Sequence, residues 1–574
     1  MILDEAKMEE LASPKVEFQS LLDLLVLCGK HKDIVKARKL HSHILENKLF
    51  LKNPCIHNAI LGMYTKCGEI EEAQEVFEKL PIRNIVSWNT LISGYTLCSR
   101  NHEALDCFKR MIRDDGFTPN AVTFLCVLKA CGSTGLLEAG QQIHQMVTAQ
   151  RGLLRKNVKL GNALVDMYAK CGMIHKAQEV FHDLPVHDVI SWNSLISGYA
   201  EHGLRDEALD CLMHMQHEGI SPNGTTLVCL LKACHGSESL AMGEKIHSEA
   251  VKTGLLGKSV VLGNAIIDMY VKCNMLEKGK GVFEDELLER DTASWNTMIN
   301  GYSRHGLDHE AVGLFLRMQE ERLSPPNAIT FVCVLKACGS IGALEMGEEI
   351  HSEVSKGGVI KRNIILGNAL VDMYAKCGML GHAQQVFDEL PVRDTASWNA
   401  LIAGYAQFGL SKMVFCLFME MNVQNVVPDL ITFLVLLNTC SHSGLVEEGQ
   451  VMFDGMHDVY QLPPTVEHYA CMVDLFSRAG YFEKAVLEIE KVSAFERLPL
   501  WWSLLGACSK WLNVEVGKWA FEQAVEVDQK CADTYICMRN IYAAAGMLNE
   551  AEKIEAERVK NKLWNPEVQQ ECLY

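Results

Sequence analysis

Apolar positions recur along this chain at helical spacing, and the spacing itself repeats. Trp88, Leu91, Ile92 and Tyr95 follow the i, i+3, i+4, i+7 pattern of a helix that buries one face. Ala104, Phe108 and Met111 form a second stripe, and Pro119 with Asn120 closes that segment. Ala73, Val76, Phe77 and Leu80 make a third, repeated as Ala177, Val180, Phe181 and Leu184 and again as Ala383, Val386, Phe387 and Leu390. Gly68, Gly172 and Gly378 each follow a Lys-Cys pair, where a left-handed residue stops a helix. Pro81, Pro185 and Pro391 end the helices that come next. No strand-like alternation competes, so the pattern predicts an all-α chain of helical hairpins.

The hairpins are copies of three kinds. Ser-Trp-Asn occurs at Ser87–Asn89, Ser191–Asn193, Ser294–Asn296 and Ser397–Asn399, with tryptophans 104, 103 and 103 residues apart. Between them cycle a Cys-bearing signature (Leu128–Cys131, Leu231–Cys234, Leu335–Cys338) and a Gly-Asn-Ala one (Gly161–Ala163, Gly263–Ala265, Gly367–Ala369). A fixed long period marks a stacked array. Short units cover 54–84, 158–188, 260–291 and 364–394; tryptophan units cover 85–120, 189–223, 292–327 and 395–429. Cysteine units cover 121–157, 224–259, 328–363 and 430–465, with an irregular one at about 15–53.

Composition narrows the class. A chain of 574 residues suits a quasi-one-dimensional stack better than one compact core. No apolar run reaches the ~18 residues of a membrane helix. The net charge of −18 means that any nucleic-acid contact must be local and not the work of a general positive field. The 22 cysteines include no Cys-x-x-Cys pair and mostly recur in register, as small buried residues would. No cofactor or metal is expected. The first ten residues carry Asp4, Glu5, Glu9 and Glu10, unlike a secretory signal or an Arg-rich transit peptide. That leaves a cytosolic protein, or a chain starting downstream of its targeting segment.

Asn162–Gly172 (NALVDMYAKCG) and Ser191–Tyr199 (SWNSLISGY) closely resemble the short and 35-residue motifs of plant organellar pentatricopeptide-repeat proteins. The resemblance is to the subclass that alternates long, short and 35-residue motifs, and it covers nearly the whole chain. A tetratricopeptide array would instead keep a uniform 34-residue repeat. The resemblance implies a right-handed superhelical solenoid, with an N-terminal extension at 1–14, the array at 15–498 and an E-type helical region at 499–574. Trp502–Cys508 (WSLLGAC) and Asn540–Gly546 (NIYAAAG) carry the last of these.

Such repeats read RNA one base per unit through two or three side chains. In the family these are the fifth and last residues of a unit. The pairs here are Asn58 with Asn84, Asn89 with Asn120, Asn162 with Asp188, Asn193 with Asn223, Asn264 with Asp291, Asn296 with Asn327, Asn368 with Asp394 and Asn399 with Asp429. By the family's code Asn–Asp resembles a uracil reader and Asn–Asn a cytosine or pyrimidine reader. Cysteine units carry Leu125, Val228, Val332 and Leu434 at the fifth place, which cannot bond a base edge, so they are expected to be spacers. With the protein N-terminus toward the RNA 5′ end, the expected target is Y-Y-n-U-Y-n-U-Y-n-U-U. An asparagine near a helix start is also a common N-cap, which is the structural alternative.

Lys66, Lys170, Lys272, Lys376 and Arg478 hold equivalent places at the ends of first helices, which in the family face the RNA backbone. A cation there also complements the helix dipole. His144, His247 and His351 recur on second helices, but the last cysteine unit has Phe453 there, which favours packing. His247-Ser-Glu249 and His351-Ser-Glu353 match half of a zinc-deaminase signature, yet Pro-Cys-x-x-Cys is missing. The third short unit has Asn274 for Gly, Gly279 for Ala and one extra residue, and should be the loosest.

The resemblance thus implies a non-enzymatic recognition subunit for C-to-U editing of RNA, with a deaminase-bearing factor in trans. Residues 466 to about 498 resemble the family's final short motif, with Ala470 at the fifth place and so no expected base, and the edited C would lie roughly four nucleotides 3′ of the base under it. The expected partner is pyrimidine-rich single-stranded RNA, with neither membrane nor small-molecule substrate. The expected compartment is a mitochondrion or plastid, the mitochondrion first. An RNA stabilisation or processing factor and a protein-binding helical scaffold are the alternatives.

Overall fold

The computed structural model describes residues 18–46, 53–150, 152–234, 239–356, 360, 363–528 and 531–560. The expected N-terminal extension at 1–14 and the end of the chain at 561–574 lie outside these residues. Two compact halves, Met1–Arg290 and Asp291–Tyr574, make up the chain. Each is an all-α solenoid of antiparallel helical hairpins, without a strand among the described residues. A tryptophan unit pairs Ile85–Leu97 with Asn101–Arg113, a cysteine unit pairs Ala121–Thr134 with Leu137–Ala149, and a short unit pairs Val158–Lys170 with Ile174–His182. The second half repeats this order and adds two hairpins, Leu498–Trp511 with Val514–Val527 and Ala532–Ala544 with Leu548–Lys560. None of the described helices is long and apolar enough to cross a membrane.

Buried stripes form the interior where the spacing put them. Trp88, Leu91 and Ile92 are wholly buried, as are Trp398, Leu401 and Ile402. Trp88, Trp192 and Trp398 each meet the phenylalanine of the preceding short unit edge to face. The centroid separations are 4.6 Å for Phe77–Trp88, 4.7 Å for Phe181–Trp192 and 4.7 Å for Phe387–Trp398. Such pairs contribute about 0.5–1.5 kcal/mol beyond the area they bury. Gly68 and Gly172 stop their helices at φ 88° and 80°.

The recurring histidines pack and hydrogen-bond across units. His41, His144, His247 and His351 each bond through Nδ1 to the hydroxyl of Tyr64, Tyr168, Tyr270 or Tyr374 of the next short unit, at 2.9–3.0 Å. Phe453 substitutes an edge-to-face contact with Tyr469 at 5.3 Å. The cysteines of the described residues are free thiols. Burial pushes Cys131, Cys338 and Cys440 up to about 12, which keeps them protonated and unreactive.

The third short unit absorbs its extra residue locally. Leu276–Gly281 is followed by a π-helical turn at Val282–Glu286, the usual form of a one-residue insertion in a helix. That turn keeps Val282 and Phe283 in the core. Asn274 takes the left-handed conformation of its glycine counterparts at φ 59°, which asparagine tolerates.

Consecutive first helices pack closely at glycine. A methyl group on Gly198 would lie 2.6 Å from Cβ of Ala169, and one on Gly404 would lie 2.5 Å from Cβ of Ala375. Gly313, by contrast, faces open space within Asp308–Glu321. Gly198→Val is expected to lower the urea midpoint by overpacking, at a cost of about 1–3 kcal/mol. Gly313→Ala is expected to raise it by up to about 1 kcal/mol through helix propensity. Urea unfolding followed by circular dichroism checks both; equal effects would mean that the close approach does not constrain the stack.

Candidate nucleic-acid interface

Six of the eight residue pairs singled out by sequence are brought within hydrogen-bond distance. The last residue of each reading unit is the N-cap of the helix that follows, and the fifth asparagine lies one turn inside its own helix. The capping role therefore belongs to Asn84, Asn120, Asp188, Asn223, Asp291, Asn327, Asp394 and Asp429, and not to the fifth-position asparagines. All eight form a capping box with the Ser or Thr three residues on.

Across the unit, the fifth amide donates to the cap. The Nδ2–Oδ1 distances are 3.2 Å for Asn89–Asn120, 3.1 Å for Asn162–Asp188, 3.4 Å for Asn193–Asn223, 3.2 Å for Asn296–Asn327, 3.2 Å for Asn368–Asp394 and 2.9 Å for Asn399–Asp429. In three pairs the hydroxyl of the capping box also reaches the fifth amide. Thr123, Ser191 and Thr432 donate to Oδ1 of Asn89, Asn162 and Asn399 at 2.7–2.8 Å. Asn193, Asn296 and Asn368 leave that oxygen buried and unpaired among the described residues. Asn84 differs, since its Oδ1 bonds only Val86 and Ser87 of its own helix and does not reach Asn58.

What remains for a ligand differs between the two kinds of pair. Every bond to the side chain of Asp188 converges on Oδ1, from the Ser191 N–H and hydroxyl and from Asn162, and Asp394 and Asp429 match it. Oδ2 is thus left as an acceptor beside the second N–H of the fifth asparagine. Asn120, Asn223 and Asn327 spend their Oδ1 in the same way and leave an exposed amide N–H pair, a donor.

The carboxylates are ionised across the neutral range. Burial raises the pKa of Asp188, Asp394 and Asp429, but hydrogen bonds from the Ser or Thr backbone and hydroxyl and from the fifth asparagine outweigh it, and each sits below the ordinary 3.8.

The cation row is more restrained than its sequence pattern suggested. Lys170, Lys272, Lys376 and Arg478 stand at first-helix ends as expected, but each is tied to an aspartate one turn back, at 2.7–2.8 Å from Asp166, Asp268, Asp372 and Asp474. Lys66 has Gly62 at that place and no ion pair among the described residues. Sequence reading missed a further row. Val86, Ile190, Val261 and Ile365 are 53–65% exposed at the second place of their units. Each is three residues ahead of a fifth asparagine and shares its helix face. A β-branched residue outside the buried stripe was the available signal.

The PPR repeat family matches residues 83–133, 187–236, 290–340 and 393–442, and the PPR repeat matches 55–85, 162–189, 264–285, 368–394 and 431–459. A putative pentatricopeptide repeat-containing protein of Arabidopsis thaliana is 35% identical over 535 residues, 93% of this chain and 77% of the relative. This chain belongs to the pentatricopeptide repeat family. Two further Arabidopsis thaliana relatives are similar. One, named mitochondrial, is 33% identical over 92% of this chain and 76% of its own length; another, named chloroplastic, is 34% identical over 94% and 61%. The crystal structure of the pentatricopeptide repeat protein PPR10 from maize shares the fold, with TM-score 0.53, 18% identity and coverage of 99% of this chain and 91% of that one. The same protein in complex with an 18-nt psaJ RNA element gives TM-score 0.54 at 17% identity, covering 96% and 86%.

The capping network carries a pH dependence of known sign. A carboxylate whose folded pKa lies below its unfolded value of 3.8 stabilises fully above that value. The contribution is lost as pH falls through the folded pKa. Carbon-detected titration of Asp188, Asp394 and Asp429 is therefore expected to give midpoints below 3.8. Midpoints above it would mean that burial wins and the network is not formed in solution.

Proposed function

We propose that this pentatricopeptide repeat protein binds single-stranded RNA in a sequence-specific way, reading one base per short or tryptophan unit. The observation that carries this reading is the set of six fifth-position asparagines bonded to the N-cap of the next helix. A pure cap needs no partner from the helix before it. The bond instead fixes two polar side chains against each other with hydrogen-bonding groups left unused, a pre-organised hydrogen-bonding edge.

The unused groups suit pyrimidines of two kinds. An Asn–Asp pair offers a donor and an acceptor, which match a carbonyl and N3–H of uracil. An Asn–Asn pair offers donors, which match the adjacent N3 and O2 acceptors of cytosine. The exposed Val86, Ile190, Val261 and Ile365 supply apolar surface against which a base face can rest. On this reading the target is Y-Y-n-U-Y-n-U-Y-n-U-U, with Asn58–Asn84 its least organised end.

The biological role that fits such a reader is site selection for C-to-U RNA editing in an organelle, with a deaminase acting in trans. The relatives named mitochondrial and chloroplastic support an organellar compartment. Within this role the E-type region at 499–574 would connect recognition to the deaminase.

A gel-shift titration against RNA carrying that string is expected to show strong preference over the same RNA with purines at the four U places. Asp188→Asn keeps the capping oxygen but exchanges acceptor for donor, so it should move the preference at its base from U toward C by about tenfold. Equal binding to both RNAs would end the code reading, and no binding would leave a helical scaffold for proteins.

A further inference from the structure

The last short-unit helix, Val466–Arg478, and the first helix of the next hairpin, Leu498–Trp511, enclose a cleft of about 310 Å³. Its walls are Asp474 and Arg478 on one side and Ser503, Gly506, Lys510 and Trp511 on the other. The hairpin that supplies the second wall stands in the frame of the repeats. Trp502 is the fifth residue of its helix, and its indole Nε1 donates to the hydroxyl of Thr534 at 3.0 Å. Thr534 is the third residue of Ala532–Ala544, the place of the capping-box hydroxyls in the reading units. Here the fifth-place donor is spent internally and Cys531 gives no side-chain cap, so this hairpin has no edge with which to distinguish bases.

It keeps the other half of the machinery. Lys510 is the thirteenth residue of its helix, the register of Lys170, Lys272, Lys376 and Arg478 in theirs. Unlike those four, it has no carboxylate within ion-pair distance among the described residues. Arg478 neutralises Asp474, the one acid in the cleft, at 2.7 Å, and the Ser441 hydroxyl bonds the same carboxylate. Lys510 is therefore a net, uncommitted positive charge. Beside it the Trp511 indole is 53% exposed, with its ring held 3.7 Å from where a Cβ on Gly480 would stand. Gly506 faces open space and leaves the floor clear. An exposed aromatic next to a free cation is the combination that binds single-stranded nucleic acid without regard to sequence.

We propose that this cleft is a sequence-tolerant nucleotide site, which takes the RNA leaving the array on its 3′ side. Lys510 meets a phosphate and Trp511 stacks on a base. The site rests on the array's reading of RNA with the protein N-terminus toward the 5′ end. It gives the hairpin after the array an RNA contact of its own, holding the strand where it leaves the last unit.

The test is anisotropy titration of full-length protein with two labelled RNAs. One ends at the base under Val466–Arg478, and the other continues with about six uridines on its 3′ side. The extended RNA is expected to bind at least about fivefold tighter. Trp511→Ala and Gly506→Glu should remove that advantage while leaving the shorter RNA's affinity unchanged, and Trp511→Phe should keep most of it. Lys510→Ala should lower the salt slope by about 0.7 with the extended RNA alone. Gly506→Glu enters open space and improves helix propensity, so loss of the advantage in that variant is not loss of fold. Equal affinity for the two lengths, an advantage that survives both Trp511→Ala and Gly506→Glu, or the same gain from a 5′ extension would overturn the site and leave the array's reading intact. Failure to bind either RNA would overturn that reading and the site with it.

Discussion

One oxygen atom per unit carries two obligations. Oδ1 of Asp188 accepts the Ser191 N–H at 2.8 Å, the Ser191 hydroxyl at 2.9 Å and the Asn162 amide at 3.1 Å. The first two bonds start the next helix, since an N-cap satisfies a backbone donor that would otherwise be orphaned, at a value of about 0.5–2 kcal/mol. The third fixes the amide of the helix before it. Placement of the pair proposed to read a base is therefore tied to the same oxygen that starts the next helix. A unit that lost its cap would lose the bond that holds its fifth asparagine too.

The stack can hold its register because neighbouring units are locked at several points. Phe–Trp pairs join neighbouring units through Trp88, Trp192 and Trp398, each one residue before Asn89, Asn193 or Asn399. Gly198 and Gly404 allow first helices to approach until a Cβ would collide with Ala169 or Ala375. On the second helices, His144 and His351 reach across to Tyr168 and Tyr374. Burial lowers the pKa of both histidines, so these bonds join neutral partners and persist through the neutral pH range. Each contact is modest, but in a quasi-one-dimensional array nearest-neighbour terms are what make the stack cooperative.

Periodicity made the hairpins legible, because a buried stripe leaves a 3.6-residue trace and a left-handed stop demands Gly or, at Asn274, its nearest substitute. Pairing of the fifth and last residues was legible only through family resemblance. Nothing in the spacing of Asn162 and Asp188 announces that a second helix lies between two side chains that touch. The alternative that the fifth asparagines are helix caps fails for a related reason. Asn89 lies near a helix start in sequence, but the helix begins at Ile85, so Asn84 is the residue with free backbone donors ahead of it. The third short unit shows the converse. Its extra residue reads as a defect, yet a π turn accommodates it with Phe283 still buried, a local solution that no hydrophobic pattern encodes.

Electrostatics decide how such a surface can hold an acidic polymer. With a net charge of −18, the protein as a whole repels RNA. Its regular row of cations is largely balanced, since Asp166, Asp268, Asp372 and Asp474 each hold the cation that follows one turn later. A phosphate must compete with those aspartates for every contact, and exposed ion pairs are weak enough, at about 0–1 kcal/mol, to be exchanged. Such exchange releases an aspartate charge into the groove, so the net Coulombic return per phosphate is small. On the proposed reading, affinity comes instead from base edges at the paired asparagines and from base faces against the β-branched row, and both scale with a correct sequence. A neutralised cation row favours discrimination over grip, and two cations in its register without an ion pair among the described residues stand at either end of it: Lys66 in the first short unit and Lys510 in the hairpin after the last one.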